Sequence, residues 1–193
     1  SEMKKIGITG GIGVGKTYVS NILRKMNYPV YNSDVMAKEL LENDDNLISL
    51  IKNNFGDKIY SDNKINKSLV ASLIFSNDDL LRKFNSIVHP YVFEDFKKWC
   101  KNQQSSIIFK EAAILFESDA VKDLDCVICV TANKDIRIKR IISRDNKTVD
   151  EIGRIMSKQM DQQKKEELSD YVITNNGDSS ILLQIDKILT DLK

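Results

Sequence analysis

Cysteine is scarce in this sequence: Cys100, Cys126 and Cys129 are the whole set. An odd, sparse set does not build a disulfide scaffold, and it fits a reducing compartment. Cys126-Val-Ile-Cys129 has the spacing of a redox dithiol. That chemistry needs a helix N-terminus to lower a thiol pKa. These cysteines instead sit in an apolar run, residues 126–130, that predicts a buried strand. Strand positions i and i+3 point to opposite faces, so both thiols are expected to be core packing. No apolar run approaches the ~18–20 residues of a membrane span. No basic start followed by an apolar stretch and a small-residue cleavage site is present. These absences lead to the expectation of a cytoplasmic protein with no membrane partner. An excess of one charge is also missing, with Lys+Arg 29 against Asp+Glu 28. Nucleic-acid binders show a basic excess or tail, so no nucleic-acid partner is expected, and any cationic site must be assembled locally. There is one histidine, His89, and there are two prolines, Pro29 and Pro90. No internal repeat, low-complexity tract or Gly/Pro/Ser-rich linker divides the 193 residues. One core with insertions is expected, and a monomer.

What is present alternates. Residues 5–9 read as a strand ending in a glycine-rich turn. Val19, Ile22, Leu23 and Met26 follow at i, i+3, i+4, i+7, which is one apolar helix face. Asn27 and Pro29 stop that helix, and Val30-Tyr31 opens a second strand ending near Asp34. Residues 36–104 are mostly helical in pattern, with Leu40, Leu41, Leu47, Leu50 and Ile51, then Leu69, Leu73 and Ile74, then Val92, Phe93 and Phe96 at helical spacing. Residues 43–45, 61–63 and 76–78 punctuate them as turns or caps. Strands resume at residues 107–109, 126–130 and 171–173. Residues 134–167 are helical and heavily charged, and residues 181–192 close the chain as a helix. Strands alternating with helices predict an α/β fold with a five-stranded parallel sheet covered on both faces. Two helical insertions interrupt it, one after the second strand and one after the fourth.

The turn after the first strand is Gly10-Gly11-Ile12-Gly13-Val14-Gly15-Lys16-Thr17, a complete G-x-x-x-x-G-K-[ST] phosphate loop. Glycines permit positive φ and close backbone approach, so successive N–H groups converge on phosphate oxygens. The helix that follows adds its positive end. Lys16 supplies a point charge for the β- and γ-phosphates, and Thr17 a hydroxyl ligand for Mg²⁺. Gly10, Gly11, Gly13, Val14, Gly15, Lys16, Thr17 and Tyr18 are therefore the expected ATP-binding residues. A guanine-reading N-K-x-D is lacking: Asn133-Lys134-Asp135 has Ile136 where the Asp belongs. A switch D-x-x-G is lacking too, because Asp150-Glu-Ile-Gly153 falls in the charged helical stretch. A small-molecule kinase fits better than a GTPase switch or a motor. Asp34 ends the second strand, expected to lie beside the first, so its carboxylate is placed as the general base for an acceptor hydroxyl. The alternative role is an N-cap for the helix that follows.

At this point the chain resembles dephospho-CoA kinases, over nearly its whole length. The start resembles their I/L-T-G-G-I-G-S-G-K. Val30-Tyr31-Asn32-Ser33-Asp34 is similar to their strand ending in D-A-D, whose last Asp is the base. Phe84-Asn85-Ser86-Ile87-Val88-His89-Pro90 resembles L-N-x-I-x-H-P, and Ile114-Leu115-Phe116-Glu117 resembles P-L-L-F-E. Arg144-Asp145 and residues 169–177 resemble the family's R-D and A-D-Y-V-I-D-N-N-G. The sequence departs from the pattern at Asn32, Ala113 and Lys67. The resemblance implies a P-loop NTPase three-layer fold. Its nucleotide core is residues 3–35 and 106–193, its acceptor-binding helical insertion residues 36–105, and its lid residues 134–167. It implies transfer of the ATP γ-phosphate to the ribose 3′-hydroxyl of dephospho-CoA. Another P-loop kinase, acting on a nucleoside, nucleotide or shikimate-like acceptor, is the alternative. A nucleotide-dependent binding protein is a second alternative, of a different class.

The resemblance also distributes roles. His89 falls in the acceptor pocket, where the plain reading of His89-Pro90 is a helix boundary. Glu111, after the third strand, is the candidate to hold Mg²⁺ through water. Arg137, Arg140 and Arg144 share one helical face at i, i+3, i+7. Opposite them, Ile138, Ile141 and Ile142 should face the core. Arginines in a lid neutralise charge on the transferring phosphoryl group. Arg140 is expected in that catalytic role beside Lys16 and Asp34, and Arg144 on the ATP phosphates. Gln159 and residues 164–167 belong to the lid's return. Asn175 and Gly177 approach the adenine of ATP.

Overall fold

The computed structural model describes residues 2–74 and 76–193, with the backbone alone at Ile74. The apolar position expected at Ile74 therefore lies outside the described side chains. The chain divides into two compact units, one made of the residues up to Tyr31 with Gln104–Lys193, the other of Asn32–Gln103.

The first unit is built on a sheet. Its elements begin with β1 (Lys4–Thr9), α1 (Lys16–Lys25) and β2 (Val30–Asn32). The chain then passes through the second unit: α2 (Ser33–Asn43), α3 (Asp45–Phe55), the hairpin β3 (Tyr60–Ser61) and β4 (Lys64–Ile65), α4 (Lys67–Ile74) and α5 (Asp78–Lys101). It returns as β5 (Ile107–Glu111), β6 (Cys126–Thr131), α6 (Lys134–Asp145), α7 (Val149–Lys158), α8 (Gln162–Leu168), β7 (Tyr171–Thr174) and α9 (Ile181–Leu192). The sheet has five strands in the order β2-β5-β1-β6-β7. Its β1/β5, β1/β6 and β6/β7 ladders are parallel.

The sequence placed β2 beside β1; the structure inserts β5 between them. Burial explains the order. Every residue of β5 is buried, and β1 is buried from Ile6 to Thr9, whereas β2 is buried only at Tyr31. Strands apolar on both faces take the middle of a parallel sheet, and a half-polar strand takes the edge. Ile6, Ile8, Phe109, Ile128 and Val130 pack with Val19 and Leu23 of α1 and with Ile181, Ile185 and Leu189 of α9 in one cluster. Cys129 is buried and Cys126 half-buried, both as free thiols. Burial pushes each thiol up to about 11, with the nearby carboxylates adding to the effect. Both are neutral core groups, as expected from the strand reading.

In the second unit α2, α3 and α4 pack on α5. Asn77 caps α5 through Asp79 N–H and Leu80 N–H, and Asp44 caps α3 through Leu47 N–H. Helical spacing hid the small β3–β4 hairpin. Its turn, Asp62-Asn63, has φ 50° and 63°, the left-handed pair that short-turn hairpins require and that Asn and Asp tolerate. α5 runs unbroken through Pro90, so His89 is not the helix boundary its sequence suggested. An interior proline removes one helical hydrogen bond and costs ~3 kcal/mol in an isolated helix. Here Val88, Val92, Phe96 and Cys100 are buried along one stripe of α5, and that burial outweighs the local cost.

Candidate active site

The phosphate loop joins β1 to α1. Gly13 and Gly15 hold φ 82° and 95°, conformations that side chains rarely adopt. A Cβ on Gly13 would also lie 2.8 Å from the Arg137 carbonyl. Gly15 is the N-cap of α1, so the loop feeds straight into a helix N-terminus. The Lys16 ammonium donates to the carbonyls of Gly10 at 2.8 Å and Gly11 at 3.2 Å. That ties the one strong cation of the loop to the loop's own backbone.

Thr17, the second residue of α1, donates its hydroxyl to the Glu111 carboxylate at 3.2 Å. Glu111 is the last residue of β5, not a residue beyond it, and is buried. The two groups assigned to a metal from sequence, separated by 94 positions, are thus brought together. Both donors are oxygens, the chemistry Mg²⁺ prefers. Among the described residues no cluster of three or more His, Cys, Asp or Glu forms a dedicated metal cage. A carboxylate, a hydroxyl and substrate phosphates are the usual Mg²⁺ set in phosphoryl-transfer sites, and this pair fits it.

The arginines of α6 lie in different surroundings. Arg140 lies against the loop: its guanidinium donates to the Asn175 carbonyl at 2.7 Å and to the Gly13 and Val14 carbonyls at 3.4 Å each. Asn175 in turn donates its side-chain amide to the Val14 carbonyl at 2.9 Å. Arg140, expected in a catalytic role, and Asn175, expected near the adenine, therefore meet at Val14. Gly177 follows in a left-handed turn, φ 86°. Arg144 is bound by its neighbour Asp145 through two 2.8 Å bonds, with its side chain 64% exposed. Arg137, assigned no role from its position, is buried and donates to the Ile12 carbonyl at 2.9 Å. Burial lowers its pKa, but a guanidinium stays charged in proteins. Its signal in the sequence was the i, i+3 spacing with Arg140. Of the three isoleucines expected in the core, only Ile141 is fully buried; Ile138 is half-buried and Ile142 is 41% exposed. Ile142 does not face the core as expected. Ile141 lies four residues after Arg137, so the two share the buried face of α6, and the isoleucines are not opposite the arginines.

Asp34 is the second residue of α2 and does not end β2. Asn32 is the N-cap, its side chain accepting from Asp34 N–H and Val35 N–H at 3.1 Å each. The capping role considered for Asp34 belongs to Asn32. Tyr18 is 57% exposed, and His89 is half-buried within α5.

A glycine loop between the central strand and its helix, an acidic residue ending the adjacent strand and arginines on the helix after β6 define a P-loop phosphotransferase. Comparison with known proteins narrows that class. The Dephospho-CoA kinase family profile matches residues 4–180. A dephospho-CoA kinase of Bacteroides fragilis is 35% identical over 97% of this chain and 92% of its own length. One from Chlorobium chlorochromatii is 38% identical over 95% and 91%. The chain belongs to the dephospho-CoA kinase family. Among solved structures, TT1252 of Thermus thermophilus superposes with TM-score 0.86 at 25% identity, covering 100% of both chains. Dephospho-CoA kinase from Campylobacter jejuni, at 21% identity and TM-score 0.66 over 97% and 96%, shares the fold. Among the described residues no helix is long and apolar enough to cross a membrane.

Proposed function

We propose that this chain transfers the γ-phosphate of ATP to the ribose 3′-hydroxyl of dephospho-CoA, giving CoA and ADP, the last step of coenzyme A synthesis. Membership of the family carries the acceptor. The meeting of Lys16, Thr17 and Glu111 around one glycine loop carries the donor. The loop formed by Gly10, Gly11, Gly13, Val14, Gly15, Lys16, Thr17 and Tyr18 holds the triphosphate, with Lys16 neutralising charge on its outer phosphates. Thr17 would bind Mg²⁺ directly and Glu111 through water. When bound, the ion supplies charge neutralisation at the β- and γ-phosphates.

Asp34 acts as base. Its carboxylate takes the proton of the 3′-hydroxyl as that oxygen bonds to the γ-phosphorus. The bond from the γ-phosphorus to the bridging oxygen breaks, and ADP leaves with the electron pair. Residues 36–105 form the acceptor-binding insertion, with His89 contacting dephospho-CoA. Residues 134–167 form the lid over the nucleotide. Arg140 and Arg144 work from the lid on the phosphates, and Asn175 and Gly177 lie at the adenine. Excluding water there suppresses hydrolysis of ATP. We place the enzyme in the cytoplasm, as a monomer. Mass and phosphorus NMR analysis of the product test the reading. One added phosphoryl group on the ribose 3′-oxygen is the expected result; phosphate released to water, or placed elsewhere on the acceptor, contradicts it.

A further inference from the structure

The phosphate loop is held from outside by two glutamines of the α7–α8 junction. Gln162 Oε1 accepts from Gly11 N–H at 2.8 Å, and Gln162 Nε2 donates to the Val130 carbonyl, in β6, at 3.1 Å. Gln159 Oε1 accepts from Ile12 N–H at 3.0 Å. Arg137 binds the carbonyl of the same Ile12. A Cβ on Gly11 would meet the Arg137 guanidinium and stand 3.1 Å from Gln162 Oε1, so these two side chains close over that residue. The junction is itself anchored. Met160 N–H donates to Glu117 at 3.2 Å. The fully buried Lys165 donates to the Ala113 carbonyl at 2.9 Å and pairs with Glu117 at 3.4 Å.

We propose that Gln159 and Gln162 are positioning residues for the nucleotide. They occupy the amides of Gly11 and Ile12 and fix the entry of the loop, so that the amides from Gly13 to Thr17 face the phosphates. A glycine-rich loop loses more backbone entropy on ordering than any other sequence. Side-chain partners that order it before ATP arrives raise affinity by removing that cost from binding. The two glutamines do this from 147 and 151 positions along the chain. Gln162 must both accept and donate, which an amide does and a carboxylate or an alkyl chain does not.

The inference rests on ATP being the ligand of the loop, and not on the identity of the acceptor. The test is equilibrium titration with ATP and Mg²⁺ of the full chain, wild type against Gln159→Leu and Gln162→Leu, beside Thr190→Ala as control. Thr190 donates its hydroxyl to the Asp186 carbonyl on the exposed side of α9. Each leucine variant is expected to bind ATP roughly tenfold more weakly, the scale of one net hydrogen bond. Its melting temperature should stay close to that of wild type, and Thr190→Ala should bind as wild type does. A lower melting temperature with unchanged ATP affinity would mean a purely structural role and overturn the proposal. Amide exchange of the wild-type protein tests the same geometry without any variant. Protection at Gly11 and Ile12 is expected, and exchange at exposed-amide rates overturns the proposal. If wild type itself binds no ATP, the nucleotide reading fails and this inference with it. That outcome is distinct from wild type binding ATP and both variants binding it equally.

Discussion

Lys16 shows how little of a catalytic residue's work lies in its identity alone. Its ammonium is aimed by the carbonyls of Gly10 and Gly11, so the charge stays at the loop. Lys16→Ala should lower turnover at least ~10²-fold, the scale of losing one preorganised donor; steady-state kinetics with near wild-type turnover would contradict its role. Asp34 makes a sharper case because Asn32 has taken the cap. Asp34→Asn should abolish transfer and leave ATP affinity nearly intact in a binding titration, and loss of both would mark a structural residue. The cysteines give a pH test. Their folded pKa of about 11 lies above the ordinary 9.0, so the unfolded chain releases these protons first. Their contribution to stability is present below pH ~9 and falls as pH rises towards ~11. Native protein should resist iodoacetamide at neutral pH at Cys126 and Cys129 and react fully once denatured. Rapid native alkylation would restore the redox reading.

Elements explain what the sequence could and could not reveal. The loop, its strand and its helix were legible because motif, alternation and helical spacing fall within a single run of residues. The pair Thr17 and Glu111 was legible as two separate roles, since each sits at a predictable end of an element. The order β2-β5-β1 was not, because sheet order follows from which strands bury both faces, and residue pattern alone gives no partner. Neither was Gln162, whose contacts are all long-range and whose residue type carries no motif. The α7–α8 segment shows the same limit. α7 carries a full capping box, Thr148 and Glu151 each binding the other's backbone N–H. Its anchoring by Lys165 and Glu117 appears only in three dimensions. Thr148→Ala should cost about 1 kcal/mol of stability in denaturant unfolding. Glu117→Ala leaves a buried ammonium short of its counter-charge and should cost about 3 kcal/mol. If the Glu117 variant is as stable as wild type, the ion pair does not anchor the junction.

For the whole molecule, the balanced charge and the lack of a basic surplus find their explanation in a cationic site built from a few residues. Lys16, Arg137 and Arg140 converge on one loop, while 29 basic and 28 acidic residues cancel over the chain. Fold alone leaves the acceptor open, and family membership narrows it. The most direct measurement is ADP release from ATP and Mg²⁺ with dephospho-CoA, beside adenosine, AMP and shikimate, on the full chain. Turnover with dephospho-CoA alone, accompanied by a mass gain of one phosphoryl group, is the result expected here. Turnover with another acceptor and none with dephospho-CoA would contradict the assignment.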